Sequence, residues 1–252
     1  MFASAPEFAT LFMLTFARVG VLVMLMPGTG ERFVPPRLRL TIALFMTMVV
    51  FPITRTLLPA GAEPGQVLGT LIGEVVVGLV LGLAVRIVIG TLQTLGAIVA
   101  QQLGLSFAMT IDPTQGAGQE AAIGNFLMLL GITLVFAADV HHLALVAIRD
   151  SYALLPPLGV PDAGDAVKLA IGAATRSFAL ALGIAAPFVA FALLFNLGLG
   201  ILSRLMPQMQ VFFLAQPLTI LLGMLILFST LGVMMTLFVT DLGTFLQGFG
   251  GR

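Results

Sequence analysis

Long apolar runs, broken by short clusters of proline, glycine and charge, set the pattern of this chain. Phe8 to Met26 is interrupted only by Thr10, Thr15 and Arg18 among its larger polar positions. Its roughly nineteen residues would make about 28 Å of helix, against a hydrocarbon core about 30 Å thick, so it predicts a membrane-spanning helix. Leu40 to Leu58 predicts a second span, marred by Pro52 and Arg55 near its far end, and Val67 to Ile89 a third that carries Glu74 and Arg86. Thr91 to Phe107 is shorter and bears Gln93, Gln101 and Gln102, so it reads as a helix half-buried among others. Ala121 to Val140 is a clean span, and Ser177 to Leu199 and Val211 to Val239 are two more. Leu143 to Leu158, moderately apolar and ending in Pro156-Pro157, reads as a surface segment. The predicted fold class is an all-α, polytopic integral membrane protein.

Composition agrees and removes whole classes of function. The chain is 59% hydrophobic and only 9% charged over 252 residues, too few charges to cover a globule of that size in water. A soluble enzyme is excluded. With 11 basic and 11 acidic residues the net charge is zero, so no basic field points to nucleic acid. The absence of cysteine excludes disulfides and thiolate metal sites. The leader carries Glu7 and no basic residue, and the run after it is too long for a signal core, so a retained span is expected.

The connections suggest an orientation. Pro27 to Arg39 holds Arg32, Arg37 and Arg39 against Glu31, whereas Pro59 to Gln66 holds only Glu63. By the bias of positive residues toward the cytoplasm, the first connection is inside and the N-terminus outside. If the Thr91 to Phe107 segment does not cross, the Arg204 connection is cytoplasmic too; if it crosses, the later assignments invert.

Intramembrane charges are costly, about 2.5–3.5 kcal/mol each at a helix centre, and need an explanation. Arg18 and Arg86 lie toward the cytoplasmic ends of their runs, where a long side chain anchors at the interface by snorkelling. Glu74 sits a third of the way into its run and calls for an interhelical ion pair or a polar pore lining, pairing first, with a proton relay as the minor alternative. In the same run Gly69, Gly73, Gly78, Gly82 and Gly90 step around one helical face, suited to close packing within one subunit or against neighbouring ones. His141 and His142 beside Asp139 invite a metal reading, but adjacent helical residues diverge by about 100°, and a polar cap where a helix leaves the membrane accounts for them more simply. No catalytic, cofactor or metal site is expected.

One connection is unusual: Gly104, Leu105, Ser106, Phe107, Ala108, Met109, Thr110, Ile111, Asp112, Pro113, Thr114, Gln115, Gly116 carries apolar residues where an exposed loop would be polar. Irregular backbone at membrane depth is tolerated where protein or a water-filled cavity surrounds it. The segment is therefore either a pore element or a buried packing loop.

The string Gly104 to Ala108 with Asp112-Pro113, then Asp139 to Leu143 and Ser151 to Pro156, resembles the FliR family of flagellar export proteins, related to the SpaR, YscT and HrcT proteins of virulence type III secretion. Phe16 to Gly20 with Pro27, Val34 to Arg39, Asn196 to Gly200, Arg204 to Met209 and Pro217 extend the resemblance over roughly residues 10 to 240. Val140 departs from it, standing where the family has glycine before the histidine pair, and Thr114 to Ala122 fits loosely.

The resemblance implies a structural, channel-forming subunit of the type III export gate in the bacterial inner membrane, at the flagellar basal body. It implies FliP-like and FliQ-like membrane subunits as partners, FlhB and FlhA completing the apparatus, and unfolded flagellar subunits as cargo. Energy would come from the proton motive force and a separate ATPase, with no chemistry and no cofactor in this subunit. Residues of about 1–176 would form a FliP-like region and about 177–242 a FliQ-like helical hairpin, turning at a cytoplasmic tip with Arg204, Met206, Pro207 and Gln208. The pore-plugging loop of the family falls on Gly104, Leu105, Ser106, Phe107, Met109, Ile111, Asp112 and Pro113. Arg18, Glu74 and Arg86 are the intramembrane charges. The histidine-pair string favours the flagellar over the virulence system. A secondary transporter, the remaining alternative, should show two matching halves, and no such internal symmetry is visible.

Overall fold

The computed structural model describes residues 5–30, 34–58, 64–105, 113–157, 163–206 and 211–249, and among them every regular element is an α-helix. In chain order these are α1 (Ala5–Leu25), α2 (Pro36–Thr54), α3 (Pro64–Ile89), α4 (Thr91–Gln102), α5 (Pro113–Ala137), α6 (Val140–Leu154), α7 (Ala163–Leu205) and α8 (Val211–Gln247). Five stretches are long and apolar enough to cross a membrane: α1, α2, Gln66–Gln102, α7 and Ala215–Gln247. Ala122–Ala137 and Val140–Leu154 make a sixth if the bent pair counts as one span. The chain is an all-α polytopic membrane protein.

Thr91 to Phe107 is a half-buried helix as far as Gln102: α4 buries Thr91, Leu92, Leu95, Gly96, Val99 and Ala100 and leaves its other face open, and together with α3 it makes the apolar stretch Gln66–Gln102. Leu143 to Leu158, read from the sequence as a surface segment, has one face turned inward. Val140, Ala144, Ala147, Ile148, Ser151 and Tyr152 of α6 are buried, an i, i+4, i+7, i+8 stripe that turns one face of the helix inward.

The chain divides into two compact units. The first comprises residues 1–88, 135–175 and 242–252. At one end of it Leu11, Leu14, Phe51 and Leu58 form a buried cluster, with the Phe8 and Phe12 rings edge-on to Phe51 at 4.9 and 5.6 Å. α1 and α3 run parallel, since their contacts advance together: Arg18 meets Glu74, Val21 lies over Gly78 and Leu25 over Gly82. A Cβ at Gly82 would come within 2.9 Å of the Leu25 Cβ, so these glycines let the two backbones approach. Gly69 of the same face meets nothing within 4 Å. Gly78 and Gly82 of the glycine step thus serve packing inside the chain, against α1.

The second unit comprises residues 89–134 and 176–241. α4 and the first part of α5 pack antiparallel, with Gly96 facing Gly124 so closely that a Cβ at Gly96 would overlap the Gly124 backbone, and with Leu92 filling the space beside Gly131. Thr91 donates a hydrogen bond to Ser177 at 2.9 Å. Arg176 of α7 is bound to Asp241 of α8 at 2.8 Å. Arg176 lies about as far before the end of α7 as Asp241 lies after the start of α8, so the pair holds the two helices as a hairpin with matched ends. Much of this hairpin is unpartnered within the chain: 28% of the most apolar stretch of α7 and 22% of that of α8 is buried, which leaves rows such as Leu193, Leu197, Ile201 and Leu221, Leu225, Phe228 outward.

Candidate functional site

The first polar centre of the fold is at Arg18. α1 places it beyond the middle of the helix, where its side chain is fully buried instead of reaching an interface. Its Nε donates to Glu74 Oε2 at 2.6 Å and its Nη2 to Glu74 Oε1 at 3.1 Å, a bidentate fork on the carboxylate. Nη1 donates to the Ser151 carbonyl at 3.0 Å and Nη2 to the Leu155 carbonyl at 2.9 Å. Arg18 therefore also caps α6: it meets the Leu155 carbonyl at the C-cap, adds a second donor to the Ser151 carbonyl that already accepts the Leu155 N–H, and sits at the negative dipole end that favours a cation. The guanidinium carbon lies 4.1 Å from the centre of the Tyr152 ring. The Tyr152 hydroxyl is buried without a hydrogen-bond partner among the described residues. α1, α3 and the end of α6 thus converge on one side chain. The snorkelling expected of Arg18 does not occur, because its charge is met inside. Arg86 lies half-buried in the last turn of α3.

The second centre is the exit from α4. Gly104 adopts a left-handed φ of 71°, its N–H donates to the Gln101 carbonyl at 3.0 Å, and the Leu105 N–H donates to the Ala100 carbonyl at 3.1 Å. This is a Schellman ending, which needs a residue without Cβ at that position. Gln216 of α8 donates through Nε2 to the Gly104 carbonyl at 2.9 Å. Of the pore-loop residues read from the sequence, Gly104 and Leu105 belong to this turn and Pro113 opens α5; Ser106, Phe107, Met109, Ile111 and Asp112 lie outside the described residues. At the hairpin tip Arg204 and Met206 are exposed beyond or in the last turn of α7, while Pro207 and Gln208 lie outside the described residues.

The third polar group surrounds the break between α5 and α6. Asp139 has a φ of 58° in the left-handed region, a position the short polar side chain tolerates better than most. The two helices bend by 78° there. His142 Nδ1 lies 3.5 Å from Asp139 Oδ1, and the His141 ring stacks on Phe136 at 5.0 Å. Donor atoms of Asp139, His141 and His142 come within 4.8 Å of one another. That spread is wider than the edge of about 3.3 Å that bond lengths near 2.05 Å require in a tetrahedral zinc site.

Four participants were not singled out from the sequence. Arg176 and Asp241 carry opposite charges just outside the apolar runs Ser177 to Leu199 and Val211 to Val239, and that placement signals a hairpin pairing. Tyr152, the sole tyrosine, lies on the apolar stripe of α6. Gln216 interrupts an apolar run, but its partner is a backbone carbonyl, which no residue type advertises.

A family model described as bacterial export proteins, family 1, matches residues 9–244. This chain belongs to that family, the FliR family. It is 41% identical over 226 residues to the flagellar biosynthetic protein FliR of Caulobacter vibrioides, covering 87% of this chain and 90% of that protein. FliR of Bacillus subtilis is 31% identical over 88% of this chain and 86% of its own length, and FliR of Pectobacterium carotovorum 29% identical over 90% and 84%. The matched FliR region takes in all three polar centres. Membrane embedding, many apolar helices and FliR relatives together make this a membrane component of flagellar biosynthesis and protein export.

Proposed function

We propose that this chain is a structural, channel-forming subunit of the flagellar type III export gate, passing unfolded flagellar subunits across the inner membrane at the basal body. The observation that carries the reading is the pairing of FliR relatives over most of the chain with a long α7–α8 hairpin whose apolar faces are largely uncovered. In a monomer those faces meet only lipid; in a gate they meet FliP-like and FliQ-like subunits, with FlhA and FlhB beyond them. Residues of about 1–176 are the FliP-like region and about 177–242 the FliQ-like hairpin. No group of side chains in this reading performs chemistry: Arg18 and Glu74 neutralise each other, and Arg18 caps a helix.

The segment from Gly104 to Pro113 closes the pore at rest. Its apolar residues suit this role, since a dewetted constriction stops ions and offers no fixed bonds that a passing polypeptide must break. The test is deletion of Ala108 to Gly116 in cells overproducing the gate. Ion leak across the inner membrane, with the FliP-like subunit still co-purifying, is expected. Tight membranes with an intact complex would refute the closing role, and equal monodispersity of the chain with and without its FliP-like partner would refute the subunit reading.

A further inference from the structure

We propose that Gln216 and Gly223 of α8 form a two-point socket that fixes the place where the chain leaves α4, with Gln216 as a positioning residue for the segment that begins at Leu105. The importance given to that segment rests on the pore-closing reading above; the socket itself rests on geometry in the second unit alone.

Four observations meet there. The Schellman ending of α4 satisfies the carbonyls of Ala100 and Gln101 from within, but leaves the Gly104 carbonyl pointing away from its own helix. Gln216 Nε2 supplies that carbonyl with a donor at 2.9 Å. A Cβ on Gly104 would collide with the same Gln216 amide, so glycine is needed twice, for the left-handed φ of 71° and for the approach of Gln216. Leu103, fully buried, fills the space that a Cβ on Gly223 would take. Gln216 and Gly223 are seven residues apart and so lie on one face of α8, two turns from each other. α8 thus presents a hydrogen-bond donor and a hole, at a spacing that receives consecutive residues of the α4 end.

The chemistry explains why glutamine stands in this apolar helix. A half-buried side-chain amide in an apolar helix needs a partner, and one left unsatisfied where it is buried costs more than a made hydrogen bond returns. The Gly104 carbonyl has the complementary need. Each group makes the other affordable, and leucine at 216 would orphan the carbonyl. Helix ends fray when their last groups are unpaired, so the socket determines whether Leu105 has one position or many.

The chain contains no cysteine, so Leu105→Cys creates a single thiol whose rate of maleimide modification reports how often the turn leaves α8. The measurement is made on the co-purified gate complex, in the otherwise unaltered chain and in Gln216→Leu and Gly223→Ala backgrounds, with Thr219→Ser as a control on the same stretch of α8. Loss of the hydrogen bond should raise the rate about tenfold, and expulsion of Leu103 by Gly223→Ala should raise it as well, whereas Thr219→Ser should not. Ser177→Cys, a conservative change at a buried position of the same unit, reports general loosening. A rise at Leu105→Cys alone supports the socket; equal rises at both thiols, or none at Leu105→Cys in either background, overturn it. If Gln216→Leu does not assemble, Gly223→Ala carries the test. Ion leak is read separately: faster labelling without leak leaves the socket standing and counts against pore closure.

Discussion

Replacing Glu74 with alanine should leave the Arg18 charge buried and only partly satisfied. Among the described residues Arg18 donates four hydrogen bonds, two to Glu74 and two to the Ser151 and Leu155 carbonyls. The variant keeps the carbonyl pair and loses the opposite charge of Glu74, and breaking a buried pair in this way costs about 3–5 kcal/mol. That is a shift of about two to three and a half decades in the unfolding equilibrium. Arg18→Met should cost more, because it strands the carboxylate and also uncaps α6. The extra loss is about one hydrogen bond, about 1 kcal/mol, since the Ser151 carbonyl still accepts the Leu155 N–H at 3.0 Å and only the Leu155 carbonyl is orphaned. The double variant Arg18→Met, Glu74→Leu removes both charges, and an apolar replacement of a buried pair is often neutral or better. It should therefore be more stable than either single variant. The assay is a double-mutant cycle of Arg18→Met, Glu74→Leu and the two together, with Glu74→Ala measured beside it, by unfolding in mixed detergent micelles followed by circular dichroism, on the chain purified with its partner. Single-variant costs that simply add in the double would show that the two side chains do not act as a unit, and equal midpoints for Glu74→Ala and the unaltered chain would show that Arg18 is not confined to this pair.

The hairpin pair should behave differently, because the Arg176 side chain is 37% exposed. Arg176→Met should cost about 1 kcal/mol, and more than Asp241→Asn, since Arg176 Nη2 also donates to the Asp241 backbone carbonyl at 3.0 Å, as the order of unfolding midpoints will tell. Arg204→Glu at the exposed end of α7 reverses a charge that favours the helix dipole, worth about 0.3–1 kcal/mol. Membrane insertion should survive while swimming in soft agar declines, and unchanged swimming would remove the tip from any partner contact.

The crossings were legible because apolar length is written directly in residue types, and α1, α2 and α8 fall where their runs do. α6 was read from half of its pattern. Its average polarity, with His141, His142, Arg149 and Asp150, suggests a surface, whereas the spacing of Val140, Ala144, Ala147, Ile148 and Ser151 specifies a buried face. The start of α7 at Ala163 was hidden because Asp165, Lys168 and Arg176 break the apolar run without breaking the helix. Arg18 was placed at an interface because a position near the end of a run favours snorkelling. What overrides that preference is a carboxylate 56 residues on and a carbonyl 133 residues on. The carboxylate is visible in the sequence, the carbonyl is common to every residue, and only the fold selects it. The same reason hid Gln216, whose acceptor is the backbone of Gly104.

The wide sequence separation at Arg18 also has a consequence in time. A ribosome adds roughly 5–20 residues per second, so α1 enters the membrane with its arginine roughly 3–11 s before Glu74, 56 residues later, is made. The Leu155 carbonyl, 137 residues after Arg18, follows only after roughly 7–27 s at that pace. Throughout the interval the nascent chain carries a cation that lipid does not satisfy, which favours retention of α1 beside the translocation machinery until α3, and then α6, is delivered. The ion pair therefore imposes an order of assembly on the growing polypeptide, and the last turn of α6 is its final step.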